Sequence, residues 1–300
     1  MATVLSPKRP IRIFRNLNAK IAAIPMILTS LFIFIGCSLW TVYYSFTKSG
    51  LLPNSTFAGL VQYKRLFTTD RWYMAMENIV IFGIISLIFL LVIGFTLAAF
   101  LDQKIRFENT FRTIYLYPFA MSFIVTGLVW QWMLNPELGI EKVIRDLGFE
   151  SFHFNWLMRK ETVIYTVIIA ALWQGTGMMM ALMLAGLRGI DHEIWKASKV
   201  DGIPIWKTYL FIVIPMMRPV LVTALILSAT GIVKVYDIIV AQTGGGPGNA
   251  SDVPARYVIQ MMFLNNNIGQ GLAASTIMLV TVLIILIPWA LMEFGGSEKR

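Results

Sequence analysis

Runs of eighteen or more apolar residues recur along this chain. At about 1.5 Å per residue, each is long enough to cross roughly 30 Å of hydrocarbon. A backbone placed in lipid must satisfy its own N–H and C=O groups, so such runs become helices. With 57% of its 300 residues hydrophobic and only 14% charged, the chain is no water-soluble globule. The expected class is an all-α integral membrane protein. Apolar windows predict six spans, at about 21–46, 78–101, 113–135, 163–187, 208–240 and 272–294. Together they form a transmembrane region 21–294 between tails 1–20 and 295–300.

The first run is too long for a signal h-region and no small-x-small cleavage pattern follows it, so it is read as an uncleaved span. Its Cys37 is the only cysteine, which excludes an internal disulfide framework, and is expected to be a packing thiol. The fifth window exceeds one straight span. Pro215 and Pro219 near its start predict that its first turns run along the membrane surface before the helix turns inward.

The net charge of +9 is scattered between apolar runs and forms no continuous basic stripe, which argues against nucleic acid as a partner. Membrane topology accounts for it instead. The N-terminal tail (Lys8, Arg9, Arg12, Arg15, Lys20), the 102–112 link, the 188–207 link and the C-terminal Lys299 and Arg300 collect fourteen Lys and Arg. Links 47–77, 136–162 and 241–271 collect nine over longer stretches. Both termini should therefore face the cytoplasm. In the 136–162 link, Ile140, Val143, Ile144 and Leu147 predict a short amphipathic helix on the outer membrane surface. Link 241–271 opens with Thr243-Gly244-Gly245-Gly246-Pro247-Gly248, read as a tight external loop whose glycines reach backbone angles closed to other residues.

The fourth link, 188–207, is the most informative stretch. Asp191 is placed to cap a helix, Gly202 to close it, and Pro204 follows. These signals delimit a helix of about three turns, with Ile194, Ala197, Val200 and the neighbouring Ser198 giving a narrow face of small and apolar groups. Composition alone leaves two readings open: a surface connector, or a face that another protein approaches.

The order Glu193-Ile194-Trp195-Lys196-Ala197-Ser198, then Val200-Asp201-Gly202, Trp206, Tyr209, Ile212, Pro215 and Pro219, resembles the EAA motif of binding-protein-dependent ABC importer permeases. Phe111-Arg112-Thr113, Tyr117-Pro118, Val129-Trp130-Gln131-Trp132, Asn135-Pro136 and Asp237-Ile238-Ile239 with the glycine loop are similar to the sugar-importer branch that includes the maltose and glycerol-phosphate permeases. The resemblance implies a type I importer permease in a bacterial inner membrane, surrounded by lipid. Its implied partners are a second homologous permease subunit, two ATPase subunits, an external solute-binding protein and a sugar or sugar-like solute. Helix 191–202 would be the coupling helix that docks on an ATPase through Glu193, Lys196, Ala197, Ser198, Asp201 and Gly202. One departure stands out: Lys196 occupies the family's usual Glu, so any salt bridge there involves Glu193, Asp201 or a different partner residue.

Lys234 and Asp237 stand at i and i+3 in the fifth window, and charges at such depth face a cavity or each other. They form either a neutralising pair that shapes packing or a polar patch on the solute path. Trp173, Gln174 and Thr176, with Gly175 and Gly177, interrupt the fourth window. They suit a wet cavity wall that grips sugar by an aromatic face and hydrogen bonds, or close packing between spans. Thr230 lies one turn before Lys234 and joins the candidates.

No G-x-x-x-x-G-K-[ST] sequence occurs, and no nucleophile is paired with a base, so no catalytic site is expected. No cofactor is expected in this chain; ATP and Mg would belong to the partner ATPase. His153 and His192 lie on opposite sides of the predicted membrane, which disfavours a metal site. The main rival is an ion-coupled secondary transporter using Lys234 and Asp237, and a polytopic enzyme or scaffold is a third reading.

Overall fold

The computed structural model describes residues 17–103 and 105–295. Lys8, Arg9, Arg12, Arg15, Lys104, Lys299 and Arg300, which weigh in the topology argument, lie outside the described residues. Among the described residues the regular elements are helical apart from one isolated bridge, Thr47 to Phe57. Four helices among the described residues are long and apolar enough to cross a membrane: Ile21–Ser45, Asp70–Asp102, Val163–Arg188 and Ile268–Leu291. Two bent pairs, each counted as one span, bring the number to six.

The centre of the fold is the packing of helix Asp70–Asp102 on helix Val163–Arg188. The first is 33 residues long, about 50 Å at the usual rise. Among its buried residues, Asn78, Phe82, Ser86, Gly94 and Ala98 are separated by multiples of four, a ridge suited to close helix pairing. Gly94 lets the two helices touch, because a Cβ there would lie 2.5 Å from Met179 Cγ. One buried cluster gathers Ala98, Leu101, Met180, Met183 and Leu187. A second joins Phe82, Val167 and Ile168 to Ile238, and a third packs Trp72 on Tyr257.

Both bent pairs have local causes. Glu108–Ala120 and Phe123–Met133 meet at 99°, so the 113–135 window is not one straight helix. Pro118 opens a tight 3-10 turn, and Ser122 then leaves helical angles to cap the second half, its hydroxyl accepting from Val125 N–H at 3.2 Å. Ile205–Met216 and Arg218–Val233 meet at 73°, beside Pro215 and Pro219.

The 208–240 window is a second correction. Its helix ends at Val233, and a separate helix, Asp237–Thr243, begins three residues beyond Lys234. Lys234 and Asp237 therefore do not share a helix face. Gly231 and the β-branched pair Ile232-Val233 weaken the helix end, while Asp237 favours a fresh start by placing a carboxylate in a first turn. Cys37 also departs from expectation, being exposed because the first long helix is barely covered by the rest of the chain.

Candidate functional site

The helix expected from its capping signals is present as His192–Val200. Asp191 Oδ1 accepts from Glu193 N–H at 2.9 Å. At the other end Gly202 has φ +67, Ile203 N–H donates to Ser198 O at 2.9 Å and Gly202 N–H donates to Lys199 O at 3.2 Å. This is a Schellman closure, which fixes the rod's length through backbone bonds.

Its faces differ from expectation. Ser198 is buried, and Ile194 and Trp195 pack into the cluster around Met183 and Leu187. Glu193, Lys196 and Ala197 are exposed, and Val200 is 87% exposed. The predicted stripe is thus split: Ile194 and Ser198 hold the rod to its own chain, while Ala197 and Val200 point away with Glu193 and Lys196. Helix periodicity groups these residues correctly but leaves open which neighbouring surface claims each. Asp201 and Gly202 are exposed at the rod's end. Arg188, the first residue of the loop, donates to Glu108 and lies 3.8 Å from Asp102.

A cavity of about 490 Å³ opens between the two central helices, the Pro118–Ser122 break and helix Arg218–Val233. Phe82, Phe119, Phe123, Met178 and Leu227 make its wall largely apolar. Lys234, Tyr236 and Asp237 sit together at one part of it, so the helix break brings both charges to the cavity by a route other than i, i+3 spacing. Ser86 also lines it, and its buried hydroxyl has no hydrogen-bond partner among the described residues.

Trp173, Gln174, Thr176 and Thr230 are not in this lining. Gln174 is 2% exposed and donates through Nε2 to Met121 O at 2.7 Å. It satisfies a carbonyl released by the broken helix, which is a structural duty. Trp173 packs edge-on to Trp130 at 6.1 Å, and the Thr176 and Thr230 hydroxyls bond their own helices at Leu172 O and Ile226 O. Gly177 serves close packing, since a Cβ there would overlap the Tyr115 carbonyl.

The glycine loop is as tight as expected and better anchored. Gly244 closes helix Asp237–Thr243 with φ +59, and Ser251 Oγ donates to Gly246 O at 2.8 Å. Pro247 follows Gly246 through a cis bond. Beneath the loop lies a charge cluster that sequence reasoning missed. Asp252 is fully buried and accepts from Arg71 Nε at 2.6 Å and Arg256 at 2.9 Å. Arg71 also donates to Gln260 and lies over the Tyr257 ring, and Asn78 Nδ2 donates to the Ala250 and Asp252 carbonyls. Burial holds the Tyr257 hydroxyl above its ordinary pKa. At Gly245 a φ of +82 disfavours any side chain, and a Cβ would also push the Arg256 guanidinium from its place beside Asp252. The Asp252/Arg256 spacing of four was legible; Arg71, 181 residues away, gave no signal.

Residues 106–292 match the family of binding-protein-dependent transport system inner membrane components. The chain belongs to this family. The matched range includes both bent helix pairs, the capped rod, the glycine loop and the part of the cavity lining from Phe119 to Ile238. A xylose/arabinose import permease of Haloferax volcanii is 31% identical over 279 residues, 91% of this chain and 87% of that one. A trehalose/maltose transport system permease of Thermococcus litoralis is 29% identical over 236 residues, 78% of each chain. In fold, the chain is similar to one in a bacterial ABC transporter involved in the import of the acidic polysaccharide alginate. There the TM-score is 0.76 at 18% identity, covering 91% of this chain and 96% of that chain. Members of the family are inner membrane components, and the relatives include archaeal as well as bacterial proteins.

Proposed function

We propose that this chain is one permease subunit of an ATP-driven, binding-protein-dependent carbohydrate importer, with six spans and both termini in the cytoplasm. It pairs with a second homologous permease, rests on two ATPase subunits that bind ATP and Mg, and receives a loaded solute-binding protein on links 47–77, 136–162 and 241–271. Family membership and relatives named for xylose/arabinose and trehalose/maltose transport support the carbohydrate class. The binding-protein partner is supported by the similar alginate transporter, whose structure includes a periplasmic protein bound to an alginate pentasaccharide.

The observation that carries the mechanism is the capped rod His192–Val200, held to its own chain by Ile194, Trp195 and Ser198 with Glu193, Lys196, Ala197 and Val200 turned outward. ATPase closure pushes this rod, and the spans rock around a cavity in which Lys234, Asp237 and Ser86 meet solute hydroxyls. Cysteine crosslinking from positions 193, 196 and 200 to a co-purified ATPase tests the docking. Gly202→Val should abolish ATP-dependent uptake while leaving membrane insertion intact, because a β-branched residue at φ +67 cannot close the rod without strain. Normal uptake by this variant, or no ATPase within crosslinking reach, refutes the docking. A panel of xylose, arabinose, maltose and trehalose against the purified external receptor tests the substrate class.

A second reading has one observation in its favour. Lys234 and Asp237 both line the cavity, and neither has an ion-pair partner among the described residues. In an ion-coupled transporter they would bind and release the coupling ion. Uptake into proteoliposomes driven by a proton or sodium gradient without ATP would favour it.

A further inference from the structure

Two contacts join the capped rod to the cavity wall. Trp195, on the rod's inner side, meets Tyr209 edge-on with ring centroids 5.2 Å apart. Tyr209 meets Phe95 edge-on at 6.0 Å. Phe95 belongs to helix Asp70–Asp102, whose Phe82, Ser86 and Leu90 wall the cavity. The end of this helix is touched again by Arg188, 3.8 Å from Asp102. Tyr209 sits in a π-helical turn, Thr208–Val213, a widened geometry that recurs at functional sites.

We infer that Trp195, Tyr209 and Phe95 form the relay through which displacement of the rod moves helix Asp70–Asp102 and, with it, the cavity wall. The inference rests on the docking reading above and assigns these three as positioning residues. Aromatic rings have few torsions and resist compression, and a close-packed core passes displacement from one side chain to the next. A leucine at 209 keeps the site apolar but leaves a gap between the Trp195 and Phe95 rings.

The test uses the complete transporter in lipid nanodiscs, with Cys37→Ser and Ser228→Cys in this chain. Ser228 lines the cavity, so maleimide labelling of position 228 reports its exposure. The parent should label at different rates without nucleotide and after trapping with ATP and vanadate. Tyr209→Leu should shrink that difference at least about fivefold, the scale of a modest coupling between sites, while ATP hydrolysis stays above about half of the parent's. Tyr209→Phe should restore the full difference. An undiminished difference in Tyr209→Leu overturns the relay, and so does a parallel fall in assembly, hydrolysis and labelling, which marks a merely structural ring. If Tyr209→Leu fails to accumulate, Phe95→Leu reads the same split from the membrane end. A parent that carries no ATPase, or labels identically in both states, sinks the docking reading itself and the relay with it.

Discussion

At the glycine-loop end the Asp252 carboxylate is fully buried between two guanidiniums, whereas at the end beside the capped rod Arg188 is 42% exposed as it donates to Glu108 and lies 3.8 Å from Asp102. The buried cluster has one workable geometry, since any shift strands a charge away from water. The exposed ions exchange protein partners for solvent at little cost. The difference makes the glycine-loop end the more rigid of the two and leaves the Arg188 end freer to rearrange.

The largest effect should come from Asp252→Ala, which leaves Arg71 and Arg256 facing each other without a counter-charge. It should cost about 3–5 kcal/mol, read as a lowered thermal midpoint of the detergent-purified chain; a loss near zero would dissolve the contrast between the ends. Gly245→Ala strikes the same cluster more gently, combining a φ of +82 with overlap on Arg256, and should cost about 1–3 kcal/mol in the same measurement. Gln174→Leu removes the donor to the Met121 carbonyl at the helix break and should cost about 1–3 kcal/mol; its effect on solute preference should be small because Gln174 lies outside the cavity. Arg188→Gln should be mildest. Discounted for solvent screening, it should cost less than about 1 kcal/mol. Its difference from the parent should vanish at high salt, while that of Asp252→Ala persists. A salt-independent Arg188→Gln would mean that the two ends are built alike.

The sequence by itself determined the helical class, because residues that cross lipid must form self-satisfied helices. It also determined the punctuation. The Asp191 cap, the Gly202 closure, the Pro215 and Pro219 bend and the glycine loop are written in local backbone chemistry, which needs no distant partner. The tertiary structure alone decided how the apolar helices are rotated. A helix that is apolar on every side has no polar face to orient it, so only contacts from elsewhere in the chain settle which residues meet. That is why Gln174 braces a broken helix and stays out of the cavity, and why Lys234 and Asp237 reach the cavity across a helix break. For the same reason the Arg71 to Asp252 pair, joining positions 181 residues apart, became visible only in the folded chain.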